Sequence, residues 1–312
     1  MSETKIIESC FGFHTSKPIY NEGKVVTAIV SLYLSIPLSI LAIIGNGLIL
    51  YAIFSTNALQ KPSNLLLAFV GSTDLLAGML PIPVSIAIRI MEARNALISC
   101  PLRLAYRYIF GPLTTVSFLM IGLLSMDMFL VCSFPLKYNT WQLKKIYTWI
   151  FTSFWFFPIF LQVLMVSKTI ETDAARKCVS VVLSLTVICI VLSHVGIYRI
   201  IRKRNSNVED LLSQEAVEHR RKKQRRASKT LVMVTLFFLV CHLPNAVVLQ
   251  FRLNEDSPVF YHAFRYSAIL AFLNSSLNPM IFCFRKEDVR RVVLQILFTA
   301  TSRVRQGLGL YG

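Results

Sequence analysis

Charged residues are scarce in this 312-residue chain, where they make up 16% of the sequence. Soluble globular proteins contain about 25% charged residues. Hydrophobic residues account for 54% of the chain, and its mean hydropathy is +0.58. This composition excludes an ordinary soluble enzyme, which keeps a charged surface, and a disordered tail protein, which is poor in hydrophobic residues.

Acidic residues are especially few, with 16 Asp and Glu against 33 Lys and Arg and a net charge of +17. In a hydrophilic chain this excess would indicate nucleic-acid binding. In an apolar chain it is typical of the cytoplasmic loops of a membrane protein. The densest basic run, RRKKQRR at 220–226, adjoins an apolar segment. We therefore expect it to lie beside membrane lipid, and we expect no nucleic-acid partner.

Catalytic and targeting motifs are also missing. The sequence contains no metalloprotease, P-loop or nucleophile-elbow motif, so we expect the protein not to be an enzyme. Residues 1–24 contain no apolar core of a cleavable signal peptide, so the first apolar segment is expected to direct membrane insertion itself.

Long uncharged runs are what the chain has in abundance. A helix needs about 20 apolar residues to cross the hydrocarbon core of a membrane. Seven runs approach or exceed that length, and the second of them contains a single charge, Asp74. The runs are residues 25–60, 62–88, 108–126, 146–167, 178–198, 230–251 and 266–284. The sequence therefore predicts an all-α fold, a bundle of seven transmembrane helices. The positive-inside rule places the N-terminus outside, because the third inner loop contains the basic run.

Several polar residues fall at mid-depth in the predicted spans. An ionisable residue inside the membrane is by default a functional hypothesis, and Asp74 is such a residue. The polar residues at similar depth are Asn46, Asp74, Ser117, Asn274 and Asn278. They can form separate interhelical hydrogen bonds, or a joint network of oxygen atoms suited to a small hard cation. Pro244 and Pro279 interrupt helical hydrogen bonding in two spans and favour kinks that can act as hinges.

The order and spacing of several motifs resemble those of the rhodopsin-like (class A) G-protein-coupled receptors over roughly residues 25–295. Each motif alone is weak, but together they extend over all seven spans. The matching segments are Asn46 in GNGLIL, Asp74 in LLLAFVGSTDLL, SMDMFLVCSFPLKY at 125–138, Trp149, Tyr198, CHLP at 241–244 and NSSLNPMIF at 274–282.

The resemblance implies a domain organisation and a cation. It implies an extracellular N-terminal segment (1–24), a seven-transmembrane receptor domain (25–284) and a cytoplasmic tail with an amphipathic eighth helix (285–312). It also implies that Asp74, Ser117, Asn274 and Asn278, with Asn46 beside them, form the family's pocket for an allosteric sodium ion centred on Asp74. No other cofactor is expected.

Several of the implied activation-switch residues depart from the family pattern. The arginine after Asp127 is replaced by Met128, the toggle tryptophan by His242 and the tyrosine of the seventh-span motif by Phe282. Met128 has no charge and no hydrogen-bond donor, so it cannot pair with Asp127. His242 is either a titrating group or a hydrogen-bonded neutral histidine of the core. Tyr198, Pro244 and Pro279 keep the family residues.

The outer side of the predicted bundle supplies further expectations. The resemblance implies a disulfide between Cys100 and Cys178. Phe110 stands where amine receptors have an aspartate, and Phe272 stands where opsins have a lysine, so amine and retinal ligands are disfavoured. Arg107 and Arg252 can face inward and pair with an anionic ligand. Alternatively, they extend their charged ends towards water or pair with Glu255 and Asp256. The expected ligand pocket therefore comprises Arg107, Phe110, His242, Arg252 and Phe272.

Three functions remain open from the sequence. The first is a plasma-membrane receptor that binds an extracellular small molecule or peptide and signals to a heterotrimeric G protein, with arrestin and membrane lipid as further partners. The second is a receptor-like protein that does not couple, or recruits arrestin alone, because of Met128 and Phe282. The third is a transporter, which the lack of internal repeats disfavours. Ser228, in RRAS at 225–228, is a candidate phosphorylation site on the inner side.

Overall fold

The computed structural model describes residues 9–10, 13–14, 22–96, 98–138, 141–167, 169, 172–208, 236–248 and 257–307. In this part of the chain the structure is helical, apart from one small hairpin in which Ser9–Cys10 pairs antiparallel with Phe13–His14. The helices are α1 (Glu22–Ser55), α2 (Pro62–Met79), α3 (Pro81–Ala93), α4 (Cys100–Ser133), α5 (Pro135–Tyr138), α6 (Leu143–Val166), α7 (Thr172–Val208), α8 (Leu236–Val248), α9 (Pro258–Arg285) and α10 (Glu287–Gly307).

Six helical segments of the described chain are long and apolar enough to cross a membrane. One of them combines α2 and α3, which together form the segment Pro62–Ala93. The shorter apolar helix α8 lies where the sixth span was predicted, and the rest of that predicted span lies outside the described residues. The protein is therefore an all-α, seven-transmembrane helix bundle, as predicted. We call the end of the bundle where α1 begins the outer end, and the opposite end the inner end.

The helices continue through both of the prolines for which the sequence predicts kinks. α8 continues through Pro244 and α9 continues through Pro279. The interruption lies at Leu80, between α2 and α3, where Pro81 begins the new helix. Proline is well tolerated there, because the first N–H groups of a helix have no partner within that helix.

The interior of the bundle is built mainly on two long helices. α1 packs along α9, α2 and α3, and α4 packs along α7, α2 and α6. One apolar cluster near the inner end includes Ile49, Leu66, Val116 and Phe282, while an outer cluster includes Phe110 and Phe272. A third joins Phe118 to α7 and α8 through Ile190 and Phe238. Many apolar side chains on the outside of the bundle are exposed, as expected for helices that face lipid.

Two glycines allow α4 and α7 to approach closely. A Cβ atom built on Gly196 would lie 2.5 Å from Cε2 of Phe129, and one on Gly122 would lie 2.6 Å from Cγ2 of Thr186. Small residues at helix contacts are a common feature of membrane proteins, because close backbone approach increases the packing contacts. Gly47 in α1 has no such neighbour within 4 Å and is therefore a useful comparison.

The cysteine pairing differs from the expectation. Cys100 at the outer start of α4 is disulfide-bonded, but Cys178 near the outer end of α7 is a free, exposed thiol. The predicted disulfide between Cys100 and Cys178 is therefore wrong. The physical reason is placement, because a disulfide needs its Cα atoms within about 7 Å and its side chains pointing towards each other. The side chain of Cys10 lies outside the described part of the chain.

We expect Gly196→Ala to destabilise the bundle, because the added methyl group must displace the rigid ring of Phe129. Overpacking of this kind costs about 1–3 kcal/mol. The measurement is the melting temperature of the purified protein in lipid nanodiscs, followed by tryptophan fluorescence. Gly47→Ala is the matched control and should leave the melting temperature unchanged or raise it. Equal melting temperatures for the two variants would contradict the close approach at Gly196.

We also expect a maleimide reagent to label Cys178 in the unreduced purified protein, because its thiol is exposed. Peptide mapping without reductant should recover the Cys100 peptide in a disulfide and the Cys178 peptide alone. A Cys178→Ser control should keep Cys100 oxidised. Recovery of a peptide pair that links Cys100 to Cys178 would show that the pairing inferred from family resemblance holds after all.

Candidate functional site

Asp74 lies at the centre of a polar group in the middle of the bundle. Its side chain is fully buried on α2, and its Oδ2 atom accepts a hydrogen bond of 2.6 Å from Nδ2 of Asn278 on α9. A hydrogen bond to a carboxylate is stronger than one between neutral groups. The pair therefore ties α2 to α9 at the depth where Pro279 removes a helical hydrogen bond.

Asn46 joins three helices beside this pair. Its amide nitrogen donates hydrogen bonds of 2.9 Å to the backbone carbonyl oxygens of Ala42 on α1 and Ser275 on α9. Its Oδ1 atom faces α2, at 3.6 Å from the position that a Cβ of Gly71 would occupy. The small residue on α2 leaves room for the amide, so Asn46 contributes both packing and an inward-facing oxygen.

Several buried polar atoms around Asp74 have no hydrogen-bond partner in the described residues. They include Oδ1 of Asp74, Oδ1 of Asn46 and both side-chain atoms of Asn274. Ser117 on α4 is also buried. A buried carboxylate oxygen without a partner is costly, and carboxylate and amide oxygens are the ligands that hard cations prefer. In the described chain, no three His, Cys, Asp or Glu side chains lie close enough together to hold a metal ion. A cation here would therefore rely on Asp74 and neutral oxygens.

Asp127, near the inner end of α4, is held by two tyrosines. Its Oδ1 atom accepts hydrogen bonds of 2.6 Å from the hydroxyl groups of Tyr138 on α5 and Tyr147 on α6. Asp127 is fully buried, and its Oδ2 atom has no partner in the described residues. Burial and the hydrogen bond to Asp127 raise the pKa of Tyr138, so its hydroxyl keeps the proton that it donates. The carboxylate thus fastens α5 and α6 to α4.

The sequence analysis missed this tyrosine pair. Tyr138 lies within the quoted segment 125–138, and Tyr147 lies in the fourth predicted span, residues 146–167. The signal available was the replacement of the neighbouring arginine by Met128, which leaves a buried carboxylate in need of other donors. No pattern in the sequence shows which donors fold against it.

The other predicted switch residues occupy different environments. Met128 is half-buried, Phe282 is buried in the inner apolar cluster, and Tyr198 is exposed on α7 rather than directed into the bundle. His242 is buried, stacks on Phe238 with ring centroids 4.3 Å apart, and has no hydrogen-bond partner for either nitrogen in the described residues. The expectation of a hydrogen-bonded histidine is therefore not met, and His242 packs as an aromatic ring.

The predicted ligand-pocket residues are only partly brought together. Phe110 and Phe272 meet edge to face, with ring centroids 5.7 Å apart. His242 lies in the separate aromatic group with Phe118 and Phe238. Arg107 is exposed, in contrast to the inward orientation considered from the sequence. Arg252 and the candidate phosphorylation site Ser228 lie outside the described residues.

A different pair of arginines lies inside the outer end of the bundle. Arg89 on α3 is fully buried and Arg265 on α9 is nearly so. Arg265 forms a salt bridge with Glu92 on α3, whose second oxygen accepts a 3.0 Å hydrogen bond from the Tyr261 hydroxyl. The sequence analysis did not place either arginine in a site. Only tertiary packing buries them, since α3 lies against α1, α4 and α2, and α9 lies against α1 and α2.

Comparison with known proteins agrees with this architecture. The family model described as "7 transmembrane receptor (rhodopsin family)" matches residues 45–282. Similar proteins include trace amine-associated receptor 365 of Petromyzon marinus, 23% identical over 311 residues that cover 91% of this chain and 84% of the relative. The histamine H2 receptor of Cavia porcellus is 23% identical over 284 residues, with 83% and 77% covered.

Other similarities are shorter. Sphingosine 1-phosphate receptor 2 of Homo sapiens is 30% identical over 138 residues, which cover 43% of this chain and 35% of that receptor. Dopamine receptor 2 of Caenorhabditis elegans matches over 94 residues, so the chain spans only 11% of that protein's length. The relatives are receptors rather than enzymes. Because the family model matches well over half of the chain, and matches the segment that contains both polar centres, this protein belongs to the rhodopsin family of seven-transmembrane receptors.

Proposed function

We propose that this protein is a plasma-membrane receptor, with its N-terminus outside, that binds an extracellular small-molecule or peptide ligand and signals to a heterotrimeric G protein. Family membership supports a G-protein-coupled receptor in general terms. The observation that carries the finer proposal is the attachment of Asp127 to Tyr138 and Tyr147. It preserves a structured inner end on α4 although the family's arginine is absent.

The tyrosine pair changes how the inner end is restrained. In the family the arginine neutralises the aspartate at rest and helps to seat the G protein. Here two hydroxyl groups satisfy one oxygen of Asp127 without placing a positive charge next to it. The restraint therefore links α4 to α5 and α6 and does not involve Met128. We propose that the half-buried Met128 contacts the G protein through its apolar surface instead of through a charge.

The second candidate function is a receptor-like protein that does not activate a G protein, or that recruits only arrestin. The replacement of the arginine by Met128 favours it, since Met128 offers no donor to a partner. The buried Phe282 also favours it, since it has no hydroxyl group for a polar connection to Tyr198. The exposure of Tyr198 on α7 is consistent with the loss of that connection.

Sodium is the proposed allosteric ligand of the mid-bundle polar group. The unpartnered oxygens of Asp74 and Asn46 fit a small hard cation, and Ser117, Asn274 and Asn278 supply further oxygens at the same depth. The ion would neutralise the buried carboxylate of Asp74 and so stabilise the packing of α2 against α9. No other cofactor is proposed.

Membrane lipid is the proposed partner of α10. Its Val289 and Val293 pack in the inner apolar cluster, which fixes the helix against the bundle. Leu294, Leu297 and Phe298 remain exposed on the same helix. An amphipathic helix with exposed apolar residues lies in the interface between lipid headgroups and acyl chains. The proposed location of α10 is therefore along the inner membrane surface, in the tail (285–312).

The names of several relatives refer to amines, but this chain lacks the charge needed for one at the expected place. Phe110 occupies that place in α4, and it packs against Tyr106 and Phe272. Glu92, a partly buried carboxylate at the outer end, is already paired with Arg265. These contacts favour a ligand that is not held by an aspartate on α4. Arg107, Arg252 and His242 stay candidate ligand-binding residues beside the proposed pocket residues Phe110 and Phe272.

Met128→Arg tests the proposed coupling. An arginine at 128 lies next to the unpartnered Oδ2 of Asp127 and restores a charged donor for the G protein. We expect it to increase ligand-driven G-protein dissociation several-fold. The experiment screens a ligand library on cells that express the receptor and records G-protein dissociation and arrestin recruitment in the same cells. Met128→Leu is the matched apolar control and should signal like the unchanged protein.

The two readouts separate the candidate functions. A ligand that dissociates a G protein from the unchanged receptor supports the first proposal. A ligand that recruits arrestin alone from the unchanged receptor contradicts it and supports the second. A G-protein signal gained by Met128→Arg at equal surface expression then assigns the loss of coupling to Met128.

Asp74→Asn tests the sodium proposal. We expect the melting temperature of the purified receptor to rise when choline chloride is replaced by sodium chloride at equal ionic strength, since an ion that binds only the folded state stabilises it. Asp74→Asn should remove most of this difference, because it removes the charge that attracts the ion. Asp127→Asn, a second buried aspartate, is the control and should retain the sodium effect. An equal sodium effect in Asp74→Asn and the unchanged receptor would refute the site.

A further inference from the structure

The outer end of the bundle contains a cluster of buried polar side chains in which hydrogen-bond donors outnumber acceptors. The side chains come from three helices and are named here the Arg89 cluster. Its members are Ser85, Arg89 and Glu92 on α3, Tyr106 on α4, and Tyr261 and Arg265 on α9. Arg89 interacts electrostatically with Arg265, Tyr106, Glu92 and Tyr261, so the six side chains form one group.

Arg89 is the member of the cluster whose hydrogen-bond donors are not all satisfied by the described residues. Its Nε atom donates a 2.9 Å hydrogen bond to the hydroxyl oxygen of Ser85. Its two terminal nitrogens, Nη1 and Nη2, are buried and have no hydrogen-bond partner in the described residues. A guanidinium group remains charged at any ordinary pH, so it cannot escape this situation by losing a proton.

Both oxygens of the cluster's carboxylate are already used. One oxygen of Glu92 accepts from Nη2 of Arg265, and the other accepts from the Tyr261 hydroxyl. The cluster therefore contains two guanidinium groups and one carboxylate, and its described members have an excess positive charge. Nε of Arg265 and the Tyr106 hydroxyl, which lies near Ser85, are also buried and have no hydrogen-bond partner of good geometry in the described residues. The unmet groups point to one missing component, an acceptor with negative charge.

The excess positive charge of the Arg89 cluster indicates a binding site because Arg89 is buried. An exposed arginine at a helix end is ordinary, because water solvates it. Arg89 is fully buried, next to the apolar cluster of Ile88, Phe110 and Phe272. An uncompensated charge in such surroundings is strongly unfavourable unless a ligand or ion completes it. Charged residues at this depth are therefore functional candidates.

We propose that the Arg89 guanidinium, with the Tyr106 hydroxyl and Nε of Arg265, binds the carboxylate or phosphate group of the receptor's ligand. The planar fork of an arginine matches the paired oxygens of either group. The salt bridge with Glu92 fixes Arg265 beside the site, and Ser85 orients Arg89. This inference rests on the proposed receptor function, since it names the chemical class of that receptor's ligand.

The test uses probes that differ only in their head group. Hexanoate, hexyl phosphate, hexylamine and hexanol are each titrated against the purified receptor in phosphatidylcholine nanodiscs, with the melting temperature as readout. A ligand present at 100 times its Kd raises the melting temperature of a domain of this size by about 5 °C. We expect at least one of the two anionic probes to produce such a rise, and hexylamine and hexanol to produce none. A response to one anion alone identifies the carboxylate or the phosphate as the preferred head group.

Variants assign the effect to Arg89. Arg89→Gln should weaken the effective anionic probe at least tenfold, and Arg89→Lys should retain part of the affinity because it keeps the charge but loses the fork. Arg94→Gln is the matched control, since Arg94 is exposed at the same end of α3 and should leave the response intact. If Arg89→Gln does not fold, Tyr106→Phe removes a single hydroxyl and should weaken the same probe about threefold to tenfold.

Three results would overturn the inference: equal stabilisation of the unchanged receptor and Arg89→Gln by the anions, stabilisation by hexylamine alone, or no response to any probe. Its failure is distinct from failure of the proposed function. Probe binding without any ligand-driven G-protein dissociation contradicts the coupling proposal only. A ligand that dissociates a G protein with the same potency in Arg89→Gln and Arg94→Gln contradicts the Arg89 site only.

Discussion

The absence of water in the bilayer core is the constraint on which the rest of this structure depends. Backbone groups must be satisfied within each span, so the chain is helical and even Pro279 lies within a continuous helix. Polar side chains face the same demand. Asp74 accepts a hydrogen bond from Asn278, and Asp127 accepts two from tyrosines. Both carboxylates are buried, so other side chains must supply the hydrogen bonds that water would otherwise make. These hydrogen bonds connect α2 with α9 and α4 with α5 and α6.

The three polar centres differ in how completely the protein satisfies them. Asp127 has two strong donors on one oxygen, which makes its environment a restraint. Asp74 accepts from Asn278 and lies near Ser275, and its Oδ1 has no hydrogen-bond partner in the described residues, which suits a small cation. Arg89 has one acceptor, and its two terminal nitrogens have no partner in the same part of the chain, which suits an anion. The unmet groups therefore differ in sign, which is why a cation is proposed at mid-depth and an anion at the outer end.

Much of the fold and part of the candidate site were predictable from the sequence. Uncharged runs and the depth of Asn46, Asp74 and Asn278 are properties of position along the chain, and hydrophobic length alone determines where spans lie. The tyrosine pair at Asp127 was not predictable, because Tyr147 belongs to another span and its contact depends on how α6 packs. The prediction of a disulfide between Cys100 and Cys178 was wrong for the same reason, since spacing in the sequence does not determine the distance between two cysteines in the fold.

The sequence by itself determined the number of membrane-spanning segments, the family and the presence of buried charges in the bundle. These follow from hydrophobic length and from motifs that lie within single helices. Only the tertiary structure decided which partner each charge has, because hydrogen bonds are directional and short, and the relevant donors come from different helices. At the outer end of the bundle, Arg107 is exposed and Arg89 is buried. Which of the two arginines contacts water depends on which helix faces pack together, and this is a property of the tertiary structure.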